Sequence, residues 1–193
     1  MTRPIAPAAA LLALCFALPI LEGCVPLIVA GAAQVAVSAG DPRSTGAQID
    51  DQTIEIKVTT AAGGKWGNEV HLNVTSYNGI VLLTGEAPST VVQDEITKIA
   101  KSTDRVRIAQ NEMVIGPVTD LSARTDDTYI TSKVKTRLLD DDTVKALYIK
   151  VVTERSVVYL MGIVSRAEGT QAAQVAATTS GVASVVKVFE YKN

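Results

Sequence analysis

The chain has 193 residues, a nearly balanced net charge of −2 and few aromatic residues (4%). This length allows one domain or two small ones with a buried core, and the balanced charge does not favour nucleic-acid binding. Both cysteines, Cys15 and Cys24, lie near the N-terminus, so the rest of the chain has no thiol for a disulfide, a thiolate metal site or a cysteine nucleophile. The one histidine, His71, would need carboxylates beside it to bind a metal.

Residues 1–23 have the layout of a secretory signal peptide. Arg3 precedes an apolar run from Ile5 to Leu21, which fits the basic start and short hydrophobic core of such signals. The run ends in Leu21-Glu22-Gly23-Cys24, which resembles a bacterial lipobox, although its glutamate departs from the small residue usual there. We therefore predict residues 1–23 as a lipoprotein signal peptide and Cys24 as the lipidated first residue of the mature chain.

A transmembrane anchor is the alternative for this region, because residues 25–37 are also apolar. Two prolines and Glu22 interrupt the run, and an acidic residue near the bilayer centre costs about 2.5–3.5 kcal/mol, so the lipoprotein interpretation is favoured. Val25, and not an aspartate, follows the cysteine, which in enteric-type bacteria implies delivery to the outer membrane. Gly, Pro, Ser and Thr dominate from Ser38 to Ala47, so residues 24–47 are predicted to be a lipid-anchored linker.

The clearest predicted element is a helix that begins near Asp126-Asp127. Ile130, Val134 and Leu138 recur every four residues, which predicts one apolar face of a helix. A carboxylate at a helix N-terminus accepts hydrogen bonds from free backbone N–H groups, so either aspartate is a predicted N-cap.

A fainter copy of this helix occurs earlier in the chain. Asp50-Asp51 precede Ile54 and Val58, which match Ile130 and Val134 of the clearer copy. Taken alone, the alternating apolar residues of this segment would predict a strand, but the internal repeat favours a helix. The aspartates of this copy are predicted N-caps as well.

The repeat continues through two strands, a second helix and a third strand in each copy. Asn78-Gly79, a strong hairpin signal, and Arg155-Ser156 lie between the first two strands of their copies. The predicted strands include His71–Val74, Ile80–Gly85 and Val106–Ile115 in the first copy, and Tyr148–Val151, Val157–Gly162 and Val182–Tyr191 in the second. The predicted inner faces of the second helices are Val92, Ile96, Ile99 and Ala100, and Ala172, Ala173, Ala176 and Ala177.

These elements predict an α+β fold with two tandem αββαβ units. The first unit spans residues 48–116 and the second residues 126–193, with a polar linker at 117–125 between them. Units of this size bury too little apolar surface to be very stable alone, so we expect the two copies to pack on each other.

The sequence offers no convincing catalytic set or metal site. His71 alternates with apolar residues and is predicted to be a solvated strand histidine, not a general base. Asp140-Asp141-Asp142 lacks the spacing of a calcium loop and is predicted to be a solvated turn. Gly63-Gly64 is too short for a phosphate-binding loop. Trp66 beside it is either a plug over the first core or an exposed membrane anchor, and the plug is favoured.

The outer face of the Asp126–Leu139 helix is the candidate site. Tyr129, Lys133 and Arg137 fall within about 80° of one another on a helix. An aromatic ring beside two cations suits a bilayer interface, where the ring lies at the headgroups and the cations meet lipid phosphates. The alternative is an ordinary solvated face with a half-buried tyrosine, which spacing alone slightly favours.

The two units resemble the BON domain. The resemblance rests on the αββαβ order, on Gly85 and Gly162 after the second strand, and on Ser180-Gly181-Val182 before the last strand. The first unit departs from the family, because Asp104-Arg105-Val106 stands where the second has its Gly-Val turn. Together with the lipobox, the two units resemble the dual-BON lipoproteins of the outer membrane.

This resemblance implies a periplasm-facing protein without catalytic activity that contacts anionic phospholipid and supports envelope integrity. It places the phospholipid contact on the first helix of the second unit, with an aromatic residue at Tyr129, beside Lys133 and Arg137. The expected partner is therefore an anionic phospholipid membrane, without a cofactor, a metal or nucleic acid. A protein-interaction adaptor that docks an envelope enzyme or assembly factor is the alternative function.

Overall fold

The computed structural model describes residues 41–192, so the predicted signal peptide and Cys24 lie outside the described residues. The first unit consists of α1 (Thr45–Trp66), β1 (His71–Tyr77), β2 (Ile80–Ala87), α2 (Thr90–Ser102), β3 (Ile108–Asn111) and β4 (Val114–Ile115). The second unit consists of α3 (Leu121–Leu139), β5 (Lys150–Glu154), β6 (Val157–Val164), α4 (Arg166–Ala177) and β7 (Ser184–Tyr191). The predicted αββαβ order is therefore confirmed. Within residues 41–192 no helix combines the length and the apolar character that crossing a membrane requires.

Both opening helices begin earlier than predicted, inside the segments expected to be linkers. Ser44 caps α1 by accepting a hydrogen bond from the backbone N–H of Ala47 (3.1 Å), and Asp120 caps α3 by accepting one from Ala123 (2.8 Å). The N-cap predictions for the two aspartate pairs are therefore wrong. The first turns of both helices face solvent, so the apolar stripe from which the starts were predicted does not extend to them.

The apolar faces of the opening helices are as predicted. Ile54 and Val58 of α1, like Ile130 and Val134 of α3, are buried beneath their own sheets. The helix interpretation of the first copy, which rested on the repeat, is confirmed. Helix α1 continues through Gly63-Gly64 and ends at Trp66, which packs against the first core and so acts as the predicted plug.

Each unit has a mixed sheet. The first two strands form an antiparallel hairpin, and the last returns parallel to the second strand, giving the orders β1-β2-β3 and β5-β6-β7. The predicted third strand of the first unit is interrupted, because Glu112 and Met113 separate β3 from β4, whereas β7 runs unbroken. In α4, Val175 is buried and Ala177 is exposed, so the predicted inner face was wrong at that position.

The two units pack on each other, as predicted, and they do so sheet against sheet. Alternate strand residues point away from each unit's own helices and form a third apolar cluster with the other unit. Its buried members are Tyr77, Ile80 and Leu82 of the first unit and Tyr159, Met161 and Val188 of the second. The layers therefore run helices, sheet, sheet, helices, and the opening helices α1 and α3 belong to the outer layers.

Candidate functional site

The outer face of α3 presents an aromatic ring next to a cation. The Tyr129 side chain is 65% exposed although it lies one residue before the buried Ile130. The Lys133 ammonium lies 4.7 Å from the centroid of the Tyr129 ring, a distance at which a cation is attracted to the ring face. The predicted pairing of Tyr129 with Lys133 on one surface is thus present in the structure.

The two predicted cations also make contacts that the sequence did not indicate. Lys133 donates to the backbone carbonyl of Ser180. The Arg137 guanidinium donates to the Val175 carbonyl (3.1 Å) and to the hydroxyls of Thr179 (2.9 Å) and Thr178 (3.1 Å). The last carbonyls of a helix lack partners inside the helix and carry a partial negative charge. Arg137 therefore holds α3 against the C-terminal end of α4, and Lys133 holds it against the turn that follows α4.

These contacts leave donors on both cations. A guanidinium has five N–H groups and an ammonium three. Three donor contacts are made by Arg137 and one by Lys133 within residues 41–192. Each cation therefore keeps N–H groups that can face solvent or a phosphate, while its side chain is already held in place.

A buried aspartate on each opening helix closes the hairpin of its own sheet. In the first unit, Asp51 is 2% exposed and accepts hydrogen bonds from Ser76 Oγ (2.6 Å), from the backbone N–H groups of Asn78 (2.7 Å) and Gly79 (2.9 Å), and from Arg43 Nη1 (2.9 Å). The residue predicted to be an N-cap is thus a clamp between α1 and the β1–β2 turn.

The second unit has a simpler version of this clamp. Asp127 accepts hydrogen bonds from the backbone N–H groups of Arg155 and Ser156, both at 2.8 Å. Both turn residues have positive φ, 52° and 62°, a region that non-glycine residues rarely adopt. No local pattern could reveal this role, because the carboxylate acts on a turn that is distant along the chain.

A cluster of ionisable side chains lies at the interface between the units. The prediction of a solvated His71 is wrong, because its side chain is only 12% exposed. It does face away from its own helices, but the second unit covers that side of the sheet. Its Nδ1 atom lies 3.0 Å from Glu86 Oε2 and 3.7 Å from Glu154 Oε1. A histidine thus meets carboxylates from β2 and β5.

The two carboxylates of this cluster have different environments. Burial raises the pKa of Glu86, but hydrogen bonds from the Thr119 hydroxyl and backbone N–H and from His71 outweigh burial and leave that pKa lowered. Burial raises the pKa of Glu154, and one hydrogen bond from Asn73 Nδ2 (2.8 Å) does not offset it. The interface therefore holds one buried carboxylate that hydrogen bonds stabilise, Glu86, and one poorly compensated carboxyl group, Glu154.

A cleft of about 510 Å³ lies between the two units beside the C-terminal half of α3. Val74 of the first unit and Lys150 of the second line it, together with Lys135. Leu139 and Leu147 also line the cleft and are exposed. The predicted acidic turn follows α3 directly, and Asp141 there accepts hydrogen bonds from Thr143 and Gln171.

Comparison with known proteins identifies the family. The BON domain matches residues 50–117 and again residues 126–193. Outer membrane lipoprotein DolP of Haemophilus influenzae is 39% identical over 173 residues, covering 89% of this chain and 90% of the relative. The 21 kDa hemolysin of Actinobacillus pleuropneumoniae is 36% identical over 78% of this chain and 79% of its own length. Osmotically-inducible protein Y of Escherichia coli is 31% identical over 71% of this chain and 70% of its own.

These similarities cover both units and most of the chain. They confirm the predicted repeat and the predicted outer-membrane lipoprotein class, whereas lipidation of Cys24 and the roles of Tyr129, Lys133 and Arg137 stay predictions. The chain belongs to the BON-domain family, as a two-BON lipoprotein of the outer membrane.

Proposed function

We propose that the second BON unit binds anionic phospholipid through the outer face of α3, and that the protein thereby supports the envelope barrier without catalysis. The observation that carries the proposal is the Tyr129 ring, 65% exposed with the Lys133 ammonium 4.7 Å from its centroid. An exposed ring with a polar tip gains free energy at the headgroup level of a bilayer, and a neighbouring cation meets the phosphates there.

Electrostatics favours an anionic over a zwitterionic surface at this face. A basic residue near an anionic membrane contributes about 1 kcal/mol, and Lys133 and Arg137 both keep free N–H donors. Their contacts with the end of α4 hold the side chains in place, so little rotamer freedom is lost on binding. The acidic turn Asp140–Asp142 opposes the attraction in part. The contact is therefore weak and headgroup-selective, and an acyl anchor supplies the lasting attachment.

The first unit lacks this combination. The repeat places Thr53, Lys57 and Ala61 where the second unit has Tyr129, Lys133 and Arg137. One cation without an aromatic neighbour has neither the interfacial ring nor the paired charge. The proposal therefore assigns phospholipid binding to the second unit alone.

Flotation of the segment Val37–Asn193, which contains both BON matches, with liposomes tests the proposal, since the acylated protein would float through its anchor. We expect flotation with phosphatidylglycerol liposomes and much less with phosphatidylcholine liposomes. A Tyr129→Ala/Lys133→Glu variant should lose most of the selective fraction. Lys57→Glu, the same charge change at the equivalent position, is the matched control and should float like the unchanged segment.

Circular dichroism spectra and thermal unfolding of each variant separate loss of binding from loss of fold, because Lys133 also contacts Ser180. Tyr129→Ala alone removes an exposed ring and should leave the melting temperature unchanged. Equal flotation of the double variant and the unchanged segment would rule out α3 as the contact.

A protein-interaction adaptor is the second candidate, favoured by the cleft between the units. Leu139 and Leu147 are exposed at its rim, and exposed apolar residues around a concave surface are typical of protein-binding sites. A Leu139→Asp/Leu147→Asp variant should then lose an envelope protein that co-purifies with the unchanged chain. Retention of lipid flotation by this variant would separate the two functions.

A further inference from the structure

We propose that His71, Glu86 and Glu154 form a binding site for a divalent transition-metal ion, Zn²⁺ in the first instance, at the interface between the two BON units. The site takes Nδ1 of the histidine and one oxygen from each carboxylate, and these ligand atoms lie within 4.8 Å of one another. This departs from the expectation of no bound metal, which rested on the lack of a ligand pattern in the sequence.

The distances fit one ion. Zinc binds imidazole nitrogen at about 2.0–2.1 Å and carboxylate oxygen at about 2.0–2.2 Å, so two ligands of a tetrahedral site lie about 3.3 Å apart. The separations from His71 Nδ1 are 3.0 Å to Glu86 Oε2 and 3.7 Å to Glu154 Oε1. The third separation, between the two carboxylate oxygens, is at most 4.8 Å. These oxygens must therefore approach each other by up to about 1.5 Å to coordinate zinc, with water in the fourth position.

The charge balance of the cluster calls for a cation. The side chains of Glu86 and Glu154 are 0% and 5% exposed, and burying a charge without a partner is costly. Arg155 lies 3.6 Å from Glu86, but on Oε1, the oxygen that the proposal leaves free. Oε1 of Glu154 receives no hydrogen bond from any residue between 41 and 192. A nearly buried carboxylate oxygen thus points to the place where the ion would bind.

Neighbouring side chains hold the proposed ligands in position. Asn73 Nδ2 donates to Oε2 of Glu154 at 2.8 Å, which turns Oε1 toward His71. The Thr119 backbone N–H donates to Glu86 Oε2 at 3.1 Å and its hydroxyl to Oε1. Hydrogen bonds of this kind orient metal ligands and raise the affinity of a site.

The donor set selects the class of ion. Calcium takes six to eight oxygen ligands and magnesium an octahedral set of oxygens, whereas an imidazole with two carboxylates and an open position suits zinc. Two ligands come from the first unit and Glu154 from the second. Bound zinc would therefore link the two sheets and stabilise their packing.

A proton is the competing occupant. With hydrogen on Nδ1, His71 donates to Glu86 Oε2 at 3.0 Å, and no metal is needed for that contact.

Isothermal titration calorimetry with ZnCl₂ distinguishes a zinc site from a proton-bridged cluster. The sample is the full-length lipoprotein in detergent micelles, from which metal has been removed with EDTA. We expect one saturable equivalent and, at free zinc about 100 times Kd, a rise in melting temperature of about 5–10 °C.

Conservative variants test the ligands one at a time. His71→Gln and Glu154→Gln should each weaken zinc binding by about 100-fold. Glu190→Gln, which removes a carboxylate that joins the units through Asn78 and Arg107, is the matched control and should bind zinc as the unchanged protein does. Substitution by Co²⁺ gives a readout independent of stability, because a tetrahedral site produces an intense visible absorption band.

The absence of saturable zinc binding would overturn the proposal and leave a proton-bridged cluster. Unchanged affinity in His71→Gln or Glu154→Gln would overturn it too, since the ion would then bind elsewhere on the chain. A cobalt band that survives in Glu190→Gln and disappears in Glu154→Gln would support it, even if that variant is less stable.

Discussion

The two BON units share one scaffold but close their hairpins differently. In the first, the buried Asp51 receives four hydrogen bonds, one of them from Arg43, and holds an Asn-Gly turn. In the second, Asp127 receives two and holds Arg155-Ser156 in a conformation that glycine and asparagine prefer. The comparison shows two uses of a buried carboxylate. Asp51 is one of several polar groups that fix a favourable Asn-Gly turn, whereas Asp127 holds a strained turn almost by itself.

The residues before each opening helix diverge as well. Arg43 turns back onto Asp51 of its own unit and stacks on Tyr77, with its guanidinium carbon 3.9 Å from the ring centroid. The equivalent residue of the second unit, Thr119, donates to Glu86 of the first. Arg43 and Thr119 occupy the same position of the repeat. Arg43 therefore stabilises its own unit, whereas Thr119 stabilises the junction between the units.

Removing the clamps should have the largest effect and should rank the two units. Asp51→Ala leaves the buried donors of Ser76, Asn78 and Gly79 without a partner and removes one of the two carboxylates that pair with Arg43, and we expect a loss of about 4 kcal/mol in the free energy of unfolding. Asp127→Ala should cost about 2–3 kcal/mol, since it frees two N–H groups. Urea unfolding followed by Trp66 fluorescence measures both. Asp126→Ala, on the exposed side of α3, is the control and should change stability by less than about 0.5 kcal/mol; equal losses at the two clamps would contradict the comparison.

The turn before the last strand offers a second contrast. Gly181 has φ 95°, and a Cβ there would lie 3.2 Å from Ile130 Cγ1, so Gly181→Ala should cost about 1–2 kcal/mol. The first unit has Arg105 with φ 68° at the equivalent place. Arg105→Gly relieves that strain but loses an exposed ion pair with Asp50, so it should change stability by less than about 1 kcal/mol. Differential scanning calorimetry can compare both variants, and a strongly destabilised Arg105→Gly would show that the ion pair outweighs the strain.

Relieving the strained turn of the second unit should stabilise it. Arg155→Asn with Ser156→Gly gives the β5–β6 hairpin the turn sequence of the first unit, and we expect a gain of about 1 kcal/mol. The Asp127 hydrogen bonds survive because they use backbone N–H groups. The midpoint of urea unfolding checks the gain. No change, or a loss, would mean that the contact of Arg155 with Glu86 matters more than the strain.

The smallest expected effect concerns how the units separate in acid. Burial raises the pKa of Glu190, but hydrogen bonds from Arg107 and Asn78 outweigh it and leave the pKa lowered. This group therefore adds stability above the ordinary glutamate pKa of about 4.3, and that stability is lost as the pH falls through the lowered value. Urea unfolding across this range should show a shallower acid loss for Glu190→Gln than for the unchanged protein. Parallel curves would show that Glu190 adds nothing to the junction.

Local periodicity and the internal repeat were enough to predict the αββαβ order of each unit. The spacing of Ile130, Val134 and Leu138 predicted α3, and the repeat corrected the strand preference of the Ile54–Val58 segment. The helix starts were missed because Ser44 and Asp120 lie a full turn or more before the first buried position. A helix cap depends on one hydrogen bond, and the apolar stripe carries no information about it.

The candidate site could be predicted only in part, for a different reason. Sequence spacing placed Tyr129 and Lys133 on one face, but it could not show that Lys133 and Arg137 reach the end of α4. Likewise, alternation correctly placed His71 on the side of β1 away from the helices. Only the packing of the second unit turns that side into an interior, and so brings Glu154 to the histidine. Contacts between elements distant in the chain decide both what Lys133 and Arg137 bind and what surrounds His71.

The sheet-on-sheet junction makes the two BON units depend on each other across the boundary between their sequences. Each unit covers an apolar face of the other, where Tyr77 and Leu82 meet Tyr159 and Met161. A chain cut between the units would expose that face to water, although each piece would hold one complete BON match. The duplication therefore behaves like a homodimer whose two protomers have been joined into one polypeptide. The segment 116–120 separates two sequence repeats, whereas the apolar interface between the units joins them into one packed structure.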